Sequence, residues 1–583
     1  MTRPRCRIIP ALAACCALAA AWLAGGCAAM PDERRATFGI DFSVPGETDP
    51  DRPNMILFFL DGLNSRVFHE TLEAGRLPNF KKYFVDRGLY CERDTTSVPS
   101  VTLANQVSLV TGVHPGHHNV LGNSWFDRNQ LFFRNSEEVD QKNKLDEDHI
   151  VPTIYEHLSD SMTLSLFYQA HRGASDFVEN VLSAGPPYFF GWYEFVDRIS
   201  LWRFDHAMRE ARARRQFPRF TICYLLAADM QAYAHGISSQ EYRHALEHAD
   251  AHIGRILRDL EKAGRLDRTI LAVTSDHGMM DIYHHMNIDK FLRNDLHMAV
   301  APGNLAENWE FGLRLPYYNK SSCVLAGSGD RYWMLYLRKP RAGGDANRPE
   351  LEDWLVRPSE ADFRAYPARD GSRVDLIARL CEKESVDVVA WKTGPDTVRL
   401  ATRAGVAEVT RVRRPAGQDV PAGPGAEPGP GGAAAALPFM LFADTHPRFS
   451  LRTIEGADPL GYGGTAAVLD GSAHDDREWL RATADSPHPD LVPQIVAYFD
   501  APRAPDIAVF AAPGWDFSDH GLKGGHGGLH PEEMHTVFLL AGPGVPHERQ
   551  SEPIRAVDIL PTIMGLLGRP VPAGLDGRSL LKR

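Results

Sequence analysis

The run Asn54-Met-Ile-Leu-Phe-Phe-Leu60 is apolar on both faces and stops abruptly at Asp61-Gly62. A strand apolar on both sides must be covered on both sides, as in a parallel sheet flanked by helices. Similar runs recur at 220–226, 269–273 and 536–540, the last followed by Ala541-Gly-Pro-Gly544. Between them, Leu246, Ile253, Ile256, Leu257 and Leu260 share one face of a helix predicted over about 239–263. Strands alternating with helices give an α/β architecture with a mostly parallel central sheet between helices. Sites in such sheets gather at the carboxyl ends of the strands.

The stretch 300–500 reads differently. Its segment 386–412 alternates short apolar and polar pieces, as antiparallel strands do, and about 413–437 is dense in Pro, Gly and Ala, the composition of a flexible loop. The expected organisation is a catalytic core in two parts, 51–299 and 501–583, with 300–500 inserted as a cap or specificity region.

The N-terminus is expected to be processed. Arg3, Arg5 and Arg7 precede an apolar stretch, Ile8 to Ala24, which is short and Ala-rich for a spanning helix. Residues 1–26 read as a signal peptide and 27–50 as a tether. Leu23-Ala-Gly-Gly-Cys27 resembles a bacterial lipobox, with Ala24 where Leu is usual. Lipidation of Cys27 and a bacterial periplasmic or cell-envelope location follow as expectations; the alternative is a soluble secreted chain. The net charge of −12 becomes −15 on that cleavage. Such acidity argues against a nucleic-acid-binding surface. Of the eight cysteines, Cys91, Cys223, Cys323 and Cys381 remain besides Cys27. They allow three disulfide connectivities or none, and no C-x-x-C pair suggests a thiolate metal site. Oligomeric state is not legible.

Five segments place metal-ligand or nucleophile residue types after predicted strands or at helix starts: Asp61; Thr102; Asp229 with His235; Asp276-His277; and His526. Asp and His are natural zinc ligands. Each alone has a bland reading, Thr102 as a helix cap and Asp61 as a turn residue; together they are a constellation.

The order and wording of these segments resemble the alkaline phosphatase superfamily, nearest its type I phosphodiesterase/nucleotide pyrophosphatase branch. The resemblance rests on Phe58-Phe-Leu-Asp-Gly62, Thr102-Leu-Ala-Asn-Gln106 with Leu109-Val-Thr-Gly-Val-His-Pro115, Thr274-Ser-Asp-His-Gly-Met279 and Gly525-His-Gly527. Met534–Gly544 and Asp558-Ile-Leu-Pro-Thr562 extend it. It implies an alkaline-phosphatase-like sandwich and two zinc ions. One would be held by Asp229, His235 and His526, the other by Asp61, Asp276, His277 and the Thr102 oxygen. It implies further that Thr102 is the nucleophile, forming a phospho-threonine, and that Asn105 and the Leu103 N–H bind a phosphoryl oxygen. The substrate would be a small phosphate ester.

Two departures stand out. The family places His four residues after its Asp, whereas His235 follows Asp229 by six, which requires two extra loop residues. Relatives that cleave nucleotides carry Phe after the nucleophile, where Leu103 stands and offers no π face. Ser97-Val-Pro-Ser-Val101 is superficially similar to a sulfatase signature, but Val101 replaces the required Arg. A phosphodiesterase or pyrophosphatase is therefore expected. A phosphomonoesterase or phosphonate hydrolase, or a lipoprotein that binds without turnover, is the alternative.

Overall fold

The computed structural model describes residues 41–581 apart from 50–51, 137–143, 179–186, 189, 302–310, 342–350, 414–446 and 466. The expected leader, Cys27, most of the tether and nearly all of the Pro/Gly-rich loop lie outside the described residues. Among those described, no helix is long and apolar enough to cross a membrane.

Asn54–Leu60 is buried at every residue and lies parallel to Phe220–Leu225 on one side and Thr269–Thr274 on the other. The sheet runs Glu548–Gln550, Leu89–Thr95, His535–Ala541, Thr269–Thr274, Asn54–Leu60, Phe220–Leu225, Thr163–Leu166, Asp176–Val178; Ile554–Arg555 also pairs with Leu89–Thr95. Only His535–Ala541 runs antiparallel to its neighbours. The helix read from the apolar stripe spans Gln240–Lys262, with the Ser239 hydroxyl capping the Tyr242 N–H. Its buried face carries Leu246, Ile253, Ile256, Leu257 and Leu260.

Residues 300–511 build a second sheet. Its order is Val300–Ala301, Cys323–Ser328, Tyr332–Leu337, Ile507–Ala511, Val386–Gly394, Thr397–Ala401, Gly405–Val412, Arg448–Gly456, His474–Asp475. All its pairings are antiparallel except that of Val300–Ala301. The alternation of a two-faced strand is visible in what each residue touches. Ala326, Met334, Tyr336, Val388 and Phe510 share a core with Met55, Leu57 and Phe59 of the first sheet. Leu325, Leu335, Leu337, Val389 and Val509 face the other way, onto Leu376, Ile377 and Leu380 of a covering helix. The inner face of the second sheet thus shares one core with the first sheet, to which the helices Thr102–Thr111 and Leu491–Tyr498 also contribute. Ile507–Ala511, expected in the returning core segment, is a member of it. Cys91, Cys223, Cys323 and Cys381 are unbridged, the first three buried.

The turn between Cys323–Ser328 and Tyr332–Leu337 reaches His526. Gly329 adopts φ +63°, and a Cβ there would lie 2.7 Å from His526 Nδ1, so close an approach that only glycine fits. The His526 N–H donates to Gly329 O at 3.2 Å. Beneath it, the fully buried Arg331 donates twice to Glu533 (2.7 and 3.0 Å), which also accepts from the Gly528 N–H at 2.7 Å. Removing one member of a buried pair strands the other charge. Glu533→Gln is therefore expected to cost about 3–5 kcal/mol in denaturant unfolding. A loss within the roughly 0–1 kcal/mol of a surface pair would contradict this role.

Candidate active site

Three adjacent strands deliver carboxylates at their carboxyl ends. Asp61 follows Asn54–Leu60 directly, Asp276 lies two residues after Thr269–Thr274, and Asp229 stands in the first turn of the helix Ala227–His235 after Phe220–Leu225. Gly62 makes their approach feasible: its φ is +67°, and a Cβ there would meet the Asp229 backbone at 2.8 Å. The loop beyond it is pinned by Tyr242, whose hydroxyl donates to Gly62 O (2.7 Å) and accepts from the Asn64 N–H (2.8 Å). The Asp229 helix has no side-chain cap of its own. Asp197 supplies one from the helix Tyr193–Arg214, accepting from the Leu226 and Ala227 N–H groups.

The hydrogen bonds divide each carboxylate. Asp276 Oδ1 accepts from Ser275 Oγ (3.0 Å), the His277 N–H (3.0 Å) and the Gly62 N–H (3.4 Å). Asp61 Oδ2 accepts from the Tyr224 hydroxyl. The other oxygens, Asp61 Oδ1 and Asp276 Oδ2, are buried and find no hydrogen-bond partner among the described residues. Both approach His277 Nε2 to 3.5 Å.

The imidazoles are oriented in a complementary way. His277 Nδ1 faces its neighbour's carbonyl, Gly278 O, at 3.0 Å, and His526 Nδ1 faces Ser100 O at 2.8 Å. A carbonyl only accepts, so both rings carry their proton on Nδ1 and keep a lone pair on Nε2. The rings stack with centroids 3.6 Å apart. Burial holds His277 down to about 3, and burial with the neighbouring His277 holds His526 well below the imidazole range. Burial, reinforced by Asp276, pushes Asp61 far above the carboxylate range, and burial raises Asp276 to about 7. A cation bound there would favour the ionised carboxylates and use the neutral imidazoles as they stand.

Two groups have ligand atoms mutually within 4.8 Å: Asp61, Asp276 and His277; and Asp229, His277 and His526. The residues present therefore fit divalent-cation binding, in an all-oxygen-and-nitrogen set. His235 is in neither group. It ends the helix Ala227–His235 and is exposed. Six helical residues turn a side chain about 240° and carry it about 9 Å along the axis. His235 thus points away from Asp229, contrary to the expected ligand set, because the intervening segment is helix and not an enlarged loop. The residue on Asp229's face is Tyr233, whose ring meets His526 edge-on at 5.6 Å between centroids.

Thr102 opens the helix Thr102–Thr111, whose N-cap is Val101, not Thr102. Its Oγ1 lies 3.1 Å from His277 Nε2. The Leu103 N–H donates to Asn123 Oδ1 at 3.1 Å. Asn105, expected to bind a phosphoryl oxygen, is committed elsewhere. Its Oδ1 accepts from the Ser97 N–H (2.8 Å), and its Nδ2 faces Ser97 O, Pro99 O and Val101 O. Asn105 is the pin of the loop before Thr102, and Asn123 is the amide beside Thr102. Sequence reasoning missed Asn123 because twenty residues separate it from Leu103. The Asn123 N–H is in turn held by Ser328 Oγ at 3.0 Å, from the turn of the second sheet. The sulfatase-like string serves as a cradle: Ser100 O orients His526, and Ser100 Oγ bridges Gly527 and Gly528. His530 caps the short helix Pro531–Met534 and is not in the ligand groups.

Residues 55–323 match the family described as type I phosphodiesterase/nucleotide pyrophosphatase. Mouse ectonucleotide pyrophosphatase/phosphodiesterase family member 1 is 24% identical over 305 residues, 47% of this chain and 29% of that protein. The Xenopus laevis bis(5'-adenosyl)-triphosphatase enpp4 is 23% identical over 269 residues, 44% of this chain and 52% of that protein. The chain thus spans less than a third of the mouse relative's length and about half of the frog relative's. Murine ectonucleotide pyrophosphatase/phosphodiesterase 5 superposes with a TM-score of 0.51 at 14% identity, covering 89% of this chain and 96% of that one. An inactive threonine-to-alanine form of it, in complex with AMP, gives 0.50 at 13%. The shared architecture is the alkaline-phosphatase-like fold.

A ligand of the folded state alone stabilises it by mass action, about 2.7 kcal/mol at a hundredfold excess over its dissociation constant. Adding a divalent cation to chelator-stripped protein should therefore raise its thermal midpoint, and Asp276→Asn should abolish most of that gain. An unchanged wild-type unfolding curve would contradict the assignment.

Proposed function

We propose, from the match of residues 55–323 to the type I phosphodiesterase/nucleotide pyrophosphatase family, that the chain belongs to that branch of the alkaline phosphatase superfamily and is an exported, zinc-dependent phosphodiesterase or pyrophosphatase acting through a phospho-threonine. The observation that carries this reading is the meeting of the Thr102 hydroxyl with His277 Nε2 and the two unpartnered carboxylate oxygens at the strand ends. Asp61, Asp276, His277 and Thr102 would hold one Zn²⁺; Asp229 and His526 would hold the second. Bound zinc would supply positive charge that lowers the pKa of the Thr102 hydroxyl and offsets charge on the phosphoryl oxygens.

The protein's own groups do the rest. Thr102 Oγ1 forms a bond to phosphorus while the bond from phosphorus to the leaving alcohol's oxygen breaks. The hydroxyl proton passes to solvent water as Oγ1 attacks, and solvent protonates the oxygen of the departing alcohol. The start of the helix Thr102–Thr111 presents backbone N–H groups that favour the anion. The Asn123 side-chain amide, whose Oδ1 accepts from the Leu103 N–H, would orient a nonbridging oxygen. Water then cleaves the phospho-threonine, restoring the hydroxyl and releasing a monoester. Leu103, buried in the core beside Thr102, offers no ring to stack on a base.

A monoester brings a further negative charge and needs a further cation. Arg331, which lies behind His526, is committed to Glu533. The diester is therefore the favoured substrate class. Cleavage before Cys27 and lipidation there would place the enzyme at the cell envelope of a bacterium, facing small extracellular phosphate esters.

A matched diester and monoester with the same leaving group test the reading. The diester should turn over faster and a chelator should stop both. Thr102→Ala should abolish turnover in a folded protein, and Asn123→Ala should lower kcat by about 10²–10³, the cost of losing one oxyanion donor. Faster monoester hydrolysis would move the protein to the phosphatase branch, and full activity of Thr102→Ala would overturn the covalent route.

A further inference from the structure

The two cation positions have unequal donor sets. His277 belongs to both groups of converging ligands, yet it has a single lone pair to give, because Nδ1 faces Gly278 O. Its Nε2 lies 3.1 Å from Thr102 Oγ1 and 3.5 Å from oxygens of both Asp61 and Asp276, which assigns it to their set. That set then has two carboxylates, an imidazole and a hydroxyl, the four donors a tetrahedral zinc site takes. Among the described residues, Asp229 and His526 are left as a pair. The next turn of the Asp229 helix offers Tyr233 on the same face, and exposure and position exclude His235. A phenol is a poor zinc ligand while protonated, and zinc sites of three or four protein ligands are the norm.

We propose that Asp229 and His526 hold a cation strongly only together with a phosphoryl group, whose oxygen completes the coordination, so that this cation and the substrate bind cooperatively. The inference rests on the cation-dependent reading above. It makes Tyr233 the residue that sets this dependence: a ligand in its place would fill the position without substrate. Thermodynamic reciprocity follows. If phosphate tightens the second cation by some factor, that cation tightens phosphate by the same factor.

The test is calorimetric titration of Zn²⁺ into chelator-stripped wild-type protein, with and without inorganic phosphate, backed by metal analysis after dialysis. One tight Zn²⁺ per chain is expected alone. A second should appear with phosphate, its affinity raised by about 5- to 150-fold, the usual range of such coupling. Tyr233→His should bind two tightly without phosphate. Two equally tight ions in the wild type without phosphate, or a second affinity indifferent to phosphate, would overturn the proposal. Wild-type binding decides the matter even if Tyr233→His fails to fold. Failure here with diesterase activity intact leaves the proposed function standing. Cooperative binding without ester hydrolysis would sink that function and leave this inference standing.

Discussion

The constraint on which the rest depends is a concentration of buried negative charge. Three carboxylates, Asp61, Asp229 and Asp276, meet at the ends of three adjacent strands, and each is less than a tenth exposed. Ionised carboxylates in such surroundings are costly, and burial accordingly raises Asp61 and Asp276. The neighbouring groups do not relieve this. His277 and His526 are held neutral, and their protonated nitrogens are turned away toward carbonyls. The hydrogen bonds that do exist fix one oxygen of Asp61 and one of Asp276 and leave the other aimed inward. A cation bound among these groups would offset their charge, so the overall acidity of the chain would pose no obstacle to the anionic substrate proposed for it.

The second sheet has a direct part in this arrangement. Its turn at Ser328–Gly329 holds the Asn123 backbone on one side and the His526 backbone on the other. The Asn123 amide and the His526 imidazole are thus set by one hairpin, anchored below by the Arg331–Glu533 pair. Its inner face shares a core with the first sheet. A shift of that hairpin would move both groups together, which ties residues 300–511 to the geometry of the candidate site.

Much of this was legible in the chain. The apolar runs at 54–60, 220–226, 269–273 and 536–540 are strands because a doubly covered strand has no polar face to show, and their ends located Asp61 and Asp276. Thr102 and His526 were legible through the resemblance. Two expected roles meet an obstacle in the geometry, each with a physical cause. Asn105 has the right chemistry one turn from Thr102, but its amide is consumed by the Ser97–Val101 loop. Asn123 reaches the site through tertiary packing that no spacing encodes. His235 was read as a loop residue, although Ala227-Ala-Asp-Met-Gln-Ala-Tyr-Ala-His235 is rich in helix formers. Helical phase, applied there, selects Tyr233.

The central claim is that the inward-facing charges exist to make the Thr102 hydroxyl a nucleophile toward phosphorus. The most direct measurement is acid-quenched turnover of a phosphodiester followed by peptide mass spectrometry. The account predicts one phosphoryl group on the peptide containing Thr102, formed at a rate consistent with turnover and absent when cations are chelated. Steady turnover with no phosphorylated intermediate under conditions that trap one, or with the phosphoryl group on another residue, would contradict it.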